Sequence, residues 1–369
     1  MAFARPPLPK TALGYYRLLA PTASVRVSPL CLGGMNFGES WVDMVGACDH
    51  NAMLDTFYEN GGNFIDTANN YQKGESERAI GDWMAKRGVR EQMVIATKYT
   101  TAWRTGFGDK EIIVNTSGNG AKSLRSSLET SLKNLQTTYI DLLYIHWWDF
   151  TTSIPELMQS LNNMIRAGKI LYIGASDTPA WVVSKANQYA RDHGMQQFSV
   201  YQGKWSAATR DFERDIIPMA VDEGMALAPW GALGSGQFKT AEQPKTIKGG
   251  RRLEDPSEQI LQVCTALERL AEKKETTMTS VALAYVMQKT PYVFPIVGGR
   301  TPEQLKANIE ALSLALTKEE IDELEGAAPF DLGFPGTMIG ASLGSSWLNG
   351  IAGHHDWVES SKPISPRKI

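Results

Sequence analysis

With 369 residues, 43% of them hydrophobic and ten of them tryptophan, the chain is long enough to bury one large barrel-sized core with extensions. Its 37 basic and 40 acidic side chains nearly balance and mix along the chain, so it lacks the basic stripe of a nucleic-acid binder. Cys31, Cys48 and Cys264 form no Cys-x-x-Cys pair and the five histidines have no zinc-ligand spacing, which argues against a disulfide framework and a metal site. The Pro-rich first ten residues have no apolar signal-peptide core, the terminal Arg367-Lys368-Ile369 is not a peroxisomal address, and no apolar run reaches the ~18 residues of a membrane span. A soluble cytoplasmic protein is the expectation.

Short apolar runs alternate with helical stretches along the chain. Residues before 28 are expected to form a β-hairpin or arm. Strand one is predicted at 30–33, with a helix at 49–60. Strands two to five are predicted at 63–66, 93–97, 140–145 and 170–174, and their helices at 76–87, 123–135, 154–167 and 181–193. Strand six at 198–202 leads to a helix at 211–223, and strand seven at 225–229 leads to a long loop and helices at 258–274 and 280–288. Strand eight, 293–297, precedes a helix at 302–312, and residues 328–369 read as a Gly- and aromatic-rich tail of little regular structure.

Eight β-α units in series imply a parallel sheet, because each return crosses through a helix. No strand leads into Gly-x-Gly-x-x-Gly; the nearest approach, 231–236, has the wrong spacing. A closed (β/α)8 TIM barrel, an α/β fold, is therefore expected as a single domain over 1–369, with a core at about 28–327, an N-terminal arm and a C-terminal tail 328–369. In such barrels chemistry sits where strands end. Strand two ends in Asp66, with Tyr71 five residues on; strand three is followed by Lys98; strand four is followed by His146 and Trp147.

Those four polar residues suit hydride addition to a ketone or aldehyde. The developing alkoxide needs a proton, and a tyrosine of ordinary pKa about 10 is a weak acid at neutral pH. Lys98 as ammonium is expected to lower the pKa of Tyr71, Asp66 to hold Lys98 charged, and His146 to hydrogen-bond the carbonyl oxygen. Taken singly, an Asp after a strand commonly caps a helix, a Lys is commonly solvated, and a His is commonly a satisfied hydrogen bonder. Their shared place at one barrel face carries the reading.

The segment 63–71 resembles the Asp…Tyr signature of the aldo-keto reductases, 95–98 that family's lysine strand, and 139–146 its histidine strand. Segments 174–177, 201–202 and 297–308 resemble its cofactor-binding segments, and the match runs in order from about 14 to 327. The Ala228-Pro229-Trp230-Gly231 loop and aromatic tail look like the fungal branch of aryl-alcohol dehydrogenases and norsolorinic acid reductase-type enzymes. The resemblance implies NADPH as cofactor. Gly34, Met35, Asn36, Gly231 and Leu233 belong to the implied cofactor set. Ser176 and Gln202 are expected to hydrogen-bond a carboxamide, and Trp230 to stack on the nicotinamide or, alternatively, to fill core. Gly298 and Gly299 would let backbone approach a phosphate. Arg300 would grip the 2′-phosphate, the surface-loop charge being its plainer reading. Gln304 and Asn308, four apart on one helix, would share a face toward the adenine.

Where the family commonly has Asn after the serine, this chain has Asp177, which when ionised only accepts hydrogen bonds. The loop 231–256 and the tail are expected to set substrate specificity. Trp103, Trp147, Phe330, Phe334 and Trp347 would wall an aromatic pocket or serve as packing. The implied activity is reduction of an aldehyde or ketone, aromatic by the rim, acting on a small-molecule partner, with no nucleic acid or membrane, as monomer or homodimer. A nucleotide-sensing accessory subunit with little turnover, or a biosynthetic enzyme using the barrel for dehydration or cyclisation, are the alternatives.

Overall fold

The computed structural model describes residues 6–104, 109–240, 255–340, 346–356, 358 and 361–367. A hairpin opens the chain: β1 (Arg17–Ala20) pairs antiparallel with β2 (Ala23–Val27). Then come β3 (Cys31–Gly33), the single turn α1 (Val42–Val45), α2 (His50–Glu59), β4 (Phe64–Asp66), α3 (Glu75–Arg87), β5 (Val94–Tyr99), α4 (Ala121–Asn134), β6 (Ile140–Ile145) and α5 (Ile154–Arg166). The series continues with β7 (Ile170–Ser176), α6 (Ala180–Asp192), β8 (Val200–Lys204), α7 (Ile216–Asp222), β9 (Ala226–Trp230), α8 (Glu258–Lys273), α9 (Met278–Lys289), β10 (Ile296–Val297) and α10 (Pro302–Glu310). After it stand α11 (Lys318–Ala327), α12 (Gly336–Ile339) and α13 (Trp347–Ala352).

β3 to β10 form one parallel sheet in the order β10-β3-β4-β5-β6-β7-β8-β9. Its edges meet: Leu227 of β9 bridges Val293 in parallel, with Leu227 N–H donating to Tyr292 O at 2.9 Å and Phe294 N–H to Leu227 O at 2.8 Å. The (β/α)8 barrel expected from the sequence is the fold. Strand pleating sends alternate residues inward. Phe64, Val94, Ala96, Leu142, Tyr144, Val200, Ala226 and Phe294 fill the barrel, and Leu19, Ala20, Ala23 and Val27 of the hairpin pack into the same cluster, so the hairpin plugs the closed end. Gly174 makes room inside: a Cβ there would lie 2.5 Å from the Tyr144 ring.

Several of the helices bury one stripe against the outside of the barrel, whereas α9 is buried on nearly every side. In α5, capped by Ser153, the stripe is Ile154, Leu157, Met158 and Leu161. Three elements differ from expectation. The helix predicted at 211–223 is a 3₁₀ turn, Asp211–Glu213, followed by α7, because Pro218 lacks an N–H and is tolerated only in a helix's first turn. The predicted strand eight is split: Ile296–Val297 form β10 against β3 and Val293 makes an isolated bridge to β9, because Pro295 between them has no N–H to donate and pairs only by accepting from Cys31 N–H. Helix α11 is an additional element between the predicted helix at 302–312 and the tail, started by the Thr317–Glu320 capping box.

Candidate active site

The inward period of two continues past the apolar layers to the open end of the barrel. Phe64 is followed at i+2 by Asp66, Ala96 by Lys98, Tyr144 by His146 and Val200 by Gln202. The four polar side chains are therefore the top layer of the barrel interior. Register reinforces this: Asp66 pairs Ala96 across the sheet, and Lys98 pairs Tyr144.

Lys98 is fully buried. Its Nζ donates to Asp66 Oδ2 at 2.6 Å, to the Thr67 carbonyl at 2.8 Å and to Tyr71 Oη at 3.4 Å. Burial alone would lower the lysine's pKa, but Asp66 and Tyr71 outweigh it and hold it above its ordinary value. Asp66 Oδ1 accepts from Gln202 Nε2 at 2.9 Å, so both carboxylate oxygens are used. Tyr71 has the expected neighbour but not the expected shift. Burial pushes its phenol up by more than Lys98 brings it down, with Asp66 adding to the rise, so its pKa stands above the ordinary value. Desolvation of the phenolate wins because the ammonium is already neutralised by Asp66. The phenol consequently keeps its proton at neutral pH.

His146 stands edge-on to Tyr71, ring centroids 5.7 Å apart, and stacks on Trp147 at 4.1 Å. Burial, then Lys98, holds its imidazole well below the usual pKa, so it is neutral. Its Nδ1 lies 3.2 Å from Thr101 Oγ1, which also accepts from Trp147 Nε1 at 2.9 Å. With the indole donating, the threonine hydroxyl proton is available to Nδ1, an arrangement suited to the tautomer that carries its proton on Nε2.

A cavity of about 680 Å³ runs from these groups to the N-terminus of α10. Tyr71, His146, Trp147 and Asp66 line one end; Asn36, Gly298, Gly299, Arg300 and Gln304 line the other; Met35, Ser176, Asp177, Gln202, Trp230, Gly231 and Leu233 lie between. At the far end Asn36 Nδ2 donates to Gly299 O at 2.8 Å and Arg300 N–H to Gln304 Oε1 at 2.9 Å, while Thr301 caps α10. A Cβ built on Gly298 meets nothing within 4 Å, so that backbone borders open space. An open glycine, a guanidinium and the N-terminus of a nine-residue helix together favour a phosphate. Asp177 sits mid-cavity in a left-handed conformation, φ 41°, tolerated by Asp. Burial raises its carboxyl to about 6, against the hydrogen bonds from Trp230 and Ser176.

Four residues named from the sequence stand off the cavity wall. Lys98 lies beneath Tyr71. Gly34 donates its N–H to Asp66 O at 2.7 Å behind the wall, and Asn308 is buried in the packing of α10. Trp103 is half-buried with its Nε1 unpartnered. The tail aromatics do not wall the cavity either: Phe330 packs under Arg210 and Arg214, and Phe334 and Trp347 are exposed. Residues 241–254, most of the loop expected to set specificity, fall outside the described residues. Conversely Trp41, Val45, Asn70, Ser235 and Lys239 line the cavity and Thr101 supports it, none of them singled out from the sequence. They lie between the barrel strands and their main helices, Val45 at the end of the single turn α1, where no local pattern reveals spatial position.

The chain matches the model of the aldo/keto reductase family over residues 29–329. It is 55% identical to a protein named norsolorinic acid reductase B from Dothistroma septosporum, covering 95% of this chain and 94% of that protein. It is 51% identical to norsolorinic acid reductase A from Aspergillus parasiticus, covering 99% and 97%. To aryl-alcohol dehydrogenase [NADP(+)] from Phanerodontia chrysosporium it is 47% identical, covering 99% of each.

Proposed function

Since the chain belongs to the aldo/keto reductase family of oxidoreductases, we propose that it reduces an aromatic aldehyde or ketone to the alcohol at the expense of NADPH, in fungal secondary or aryl-alcohol metabolism. The observation that carries the reading is the fully buried Lys98, fixed between Asp66 and the Thr67 carbonyl, with Tyr71 Oη 3.4 Å away at the end of a long cavity. NADPH supplies the hydride when bound. The chain's own residues do the rest. Tyr71, protonated at neutral pH, gives its proton to the carbonyl oxygen, and the nearby ammonium stabilises the phenolate left behind. Neutral His146 hydrogen-bonds that oxygen and orients the substrate.

The residues fit the dinucleotide. Ser176, Asp177 and Trp230 would face its nicotinamide end, and Gly298, Gly299 and Arg300 its phosphates. Gln202 spends its amide N–H on Asp66 and so serves the network as much as a ligand. The names of the relatives add the aromatic substrate class and, in one, NADP(+). The test is a panel of benzaldehydes and aryl ketones, read by NADPH absorbance. Oxidation of NADPH with several members is expected. No oxidation across the panel, with NADPH binding intact, would overturn the reading in favour of a nucleotide sensor.

A further inference from the structure

The segment 34–48, between β3 and α2, carries only the single turn α1, yet it borders both ends of the cavity. It is fastened to the residues that follow Tyr71. Gln72 is fully buried, and its backbone is left-handed (φ 51°), as is that of Lys73 (φ 53°), a region that residues with a Cβ avoid. Both ends of the side-chain amide bond this segment: Oε1 accepts from Trp41 N–H at 2.6 Å, and Nε2 donates to Met35 O at 3.1 Å. Glu75, at the start of α3, adds a second fastener, accepting from Glu39 N–H, Ser40 N–H and Ser40 Oγ. The contact is close: Gly38, at φ +143°, has no space for a Cβ, which would lie 2.7 Å from Gln72 Cβ.

The outcome is a placed aromatic ring. Trp41 stands on the cavity wall edge-on to Tyr71, centroids 6.3 Å apart. We propose that Gln72 is a positioning residue for substrate selectivity: by holding the 34–48 segment it keeps Trp41 beside Tyr71 as a wall for flat aromatic carbonyl substrates. This rests on the reductase reading. Left-handed backbone at Gln72 turns the chain sharply after Tyr71, so the amide points back at the segment while the phenol points into the barrel mouth. One turn thus links the proton donor to the wall that receives the substrate.

The test is a double-mutant cycle in the full chain, with Gln72→Gly and Trp41→Ala. Glycine accepts the left-handed backbone, so the first change deletes the amide without adding strain. The readouts are KM and kcat for 2-naphthaldehyde and for propanal. Gln72→Gly is expected to raise the KM for 2-naphthaldehyde, relative to that for propanal, by about three- to tenfold, the worth of an aromatic contact. Adding it to Trp41→Ala should change that ratio by less than about twofold, because the two act through one ring. Losses that multiply in the double variant, or an equal fall in kcat for both aldehydes from a displaced Tyr71, would overturn the proposal. Titration of 2-naphthaldehyde against the NADP(+)-saturated chain, a complex with no hydride to transfer, gives the same cycle without turnover. A non-additive cycle there, with no aldehyde reduced, would retain the positioning role while the reductase reading fails. Should Gln72→Gly not fold, Gln72→Asn, which also tolerates φ > 0, takes its place in the cycle under the same criteria.

Discussion

At the Tyr71 end of the cavity the polar groups stand on strand ends and are locked: Lys98 is 0% exposed, Asp66 3% and His146 4%, and each is hydrogen-bonded to a neighbouring strand or the loop after it. At the Arg300 end the groups stand on a loop and a helix N-terminus, with Gly298 exposed and Arg300 half-buried. The difference follows from what each end must do. Charge that develops during proton transfer is stabilised best by groups already oriented in a dry, low-dielectric site. A phosphate must enter and leave, and an accessible cation with adaptable backbone serves that better. If this contrast is right, substitutions at the first end should act on rate and stability, and those at the second on affinity.

The largest effect is expected at Tyr71. Tyr71→Phe keeps the ring and removes the proton, and kcat for an aryl aldehyde should fall by ~10²–10⁴-fold while the Kd for NADPH barely changes. A variant retaining more than half the parent turnover, with chemistry rate-limiting, would remove Tyr71 from the mechanism. Lys98→Met leaves the Asp66 carboxylate buried with only Gln202 as partner. Stability to urea should drop by about 3–5 kcal/mol, as when one member of a buried ion pair is deleted. An unchanged unfolding midpoint would show that the locked end is less coupled than the geometry implies.

At the other end, Arg300→Ala should weaken NADPH by about ten- to a hundredfold, the worth of a charge-assisted hydrogen bond, and leave NADH nearly unaffected. Equal losses for the two cofactors, measured at one salt concentration, would make Arg300 structural and erase the contrast between the ends. The smallest effect concerns Asp177, midway between them. Its carboxyl is raised from 3.8 to about 6 in the folded chain. Below pH ~4 both folded and unfolded states are protonated; as pH rises from about 4 to 6 the unfolded state releases its proton first, so stability falls and then levels off. Asp177→Asn lacks that loss and should be more stable than the parent by about 1–2 kcal/mol at pH 7.5, after discounting for partial exposure, with the gap closing near pH 4. A gap independent of pH, in urea unfolding from pH 4 to 7.5, would mean that the carboxyl is not the cause.

Much of this was legible in the sequence because it is local. The strand-helix alternation and the missing Gly-x-Gly-x-x-Gly specified the barrel, and the period of two placed Asp66, Lys98 and His146 on its inner face once strand ends were known. The capping box of α11 is equally local. What closure of the barrel decided is of another kind. Trp41 and Tyr71, 30 positions apart, became neighbours; Thr101 came under His146; Asn308 turned into the core while Gln304, one helical turn away, kept the cavity. The pKa of Tyr71 moved up rather than down, against the sequence expectation. Which side chains share one face follows from backbone periodicity, a property of neighbours in the chain. Which loops meet over the barrel mouth, and how far a phenol there is stripped of water, depends on contacts between segments distant in sequence, and these exist only once the sheet has closed.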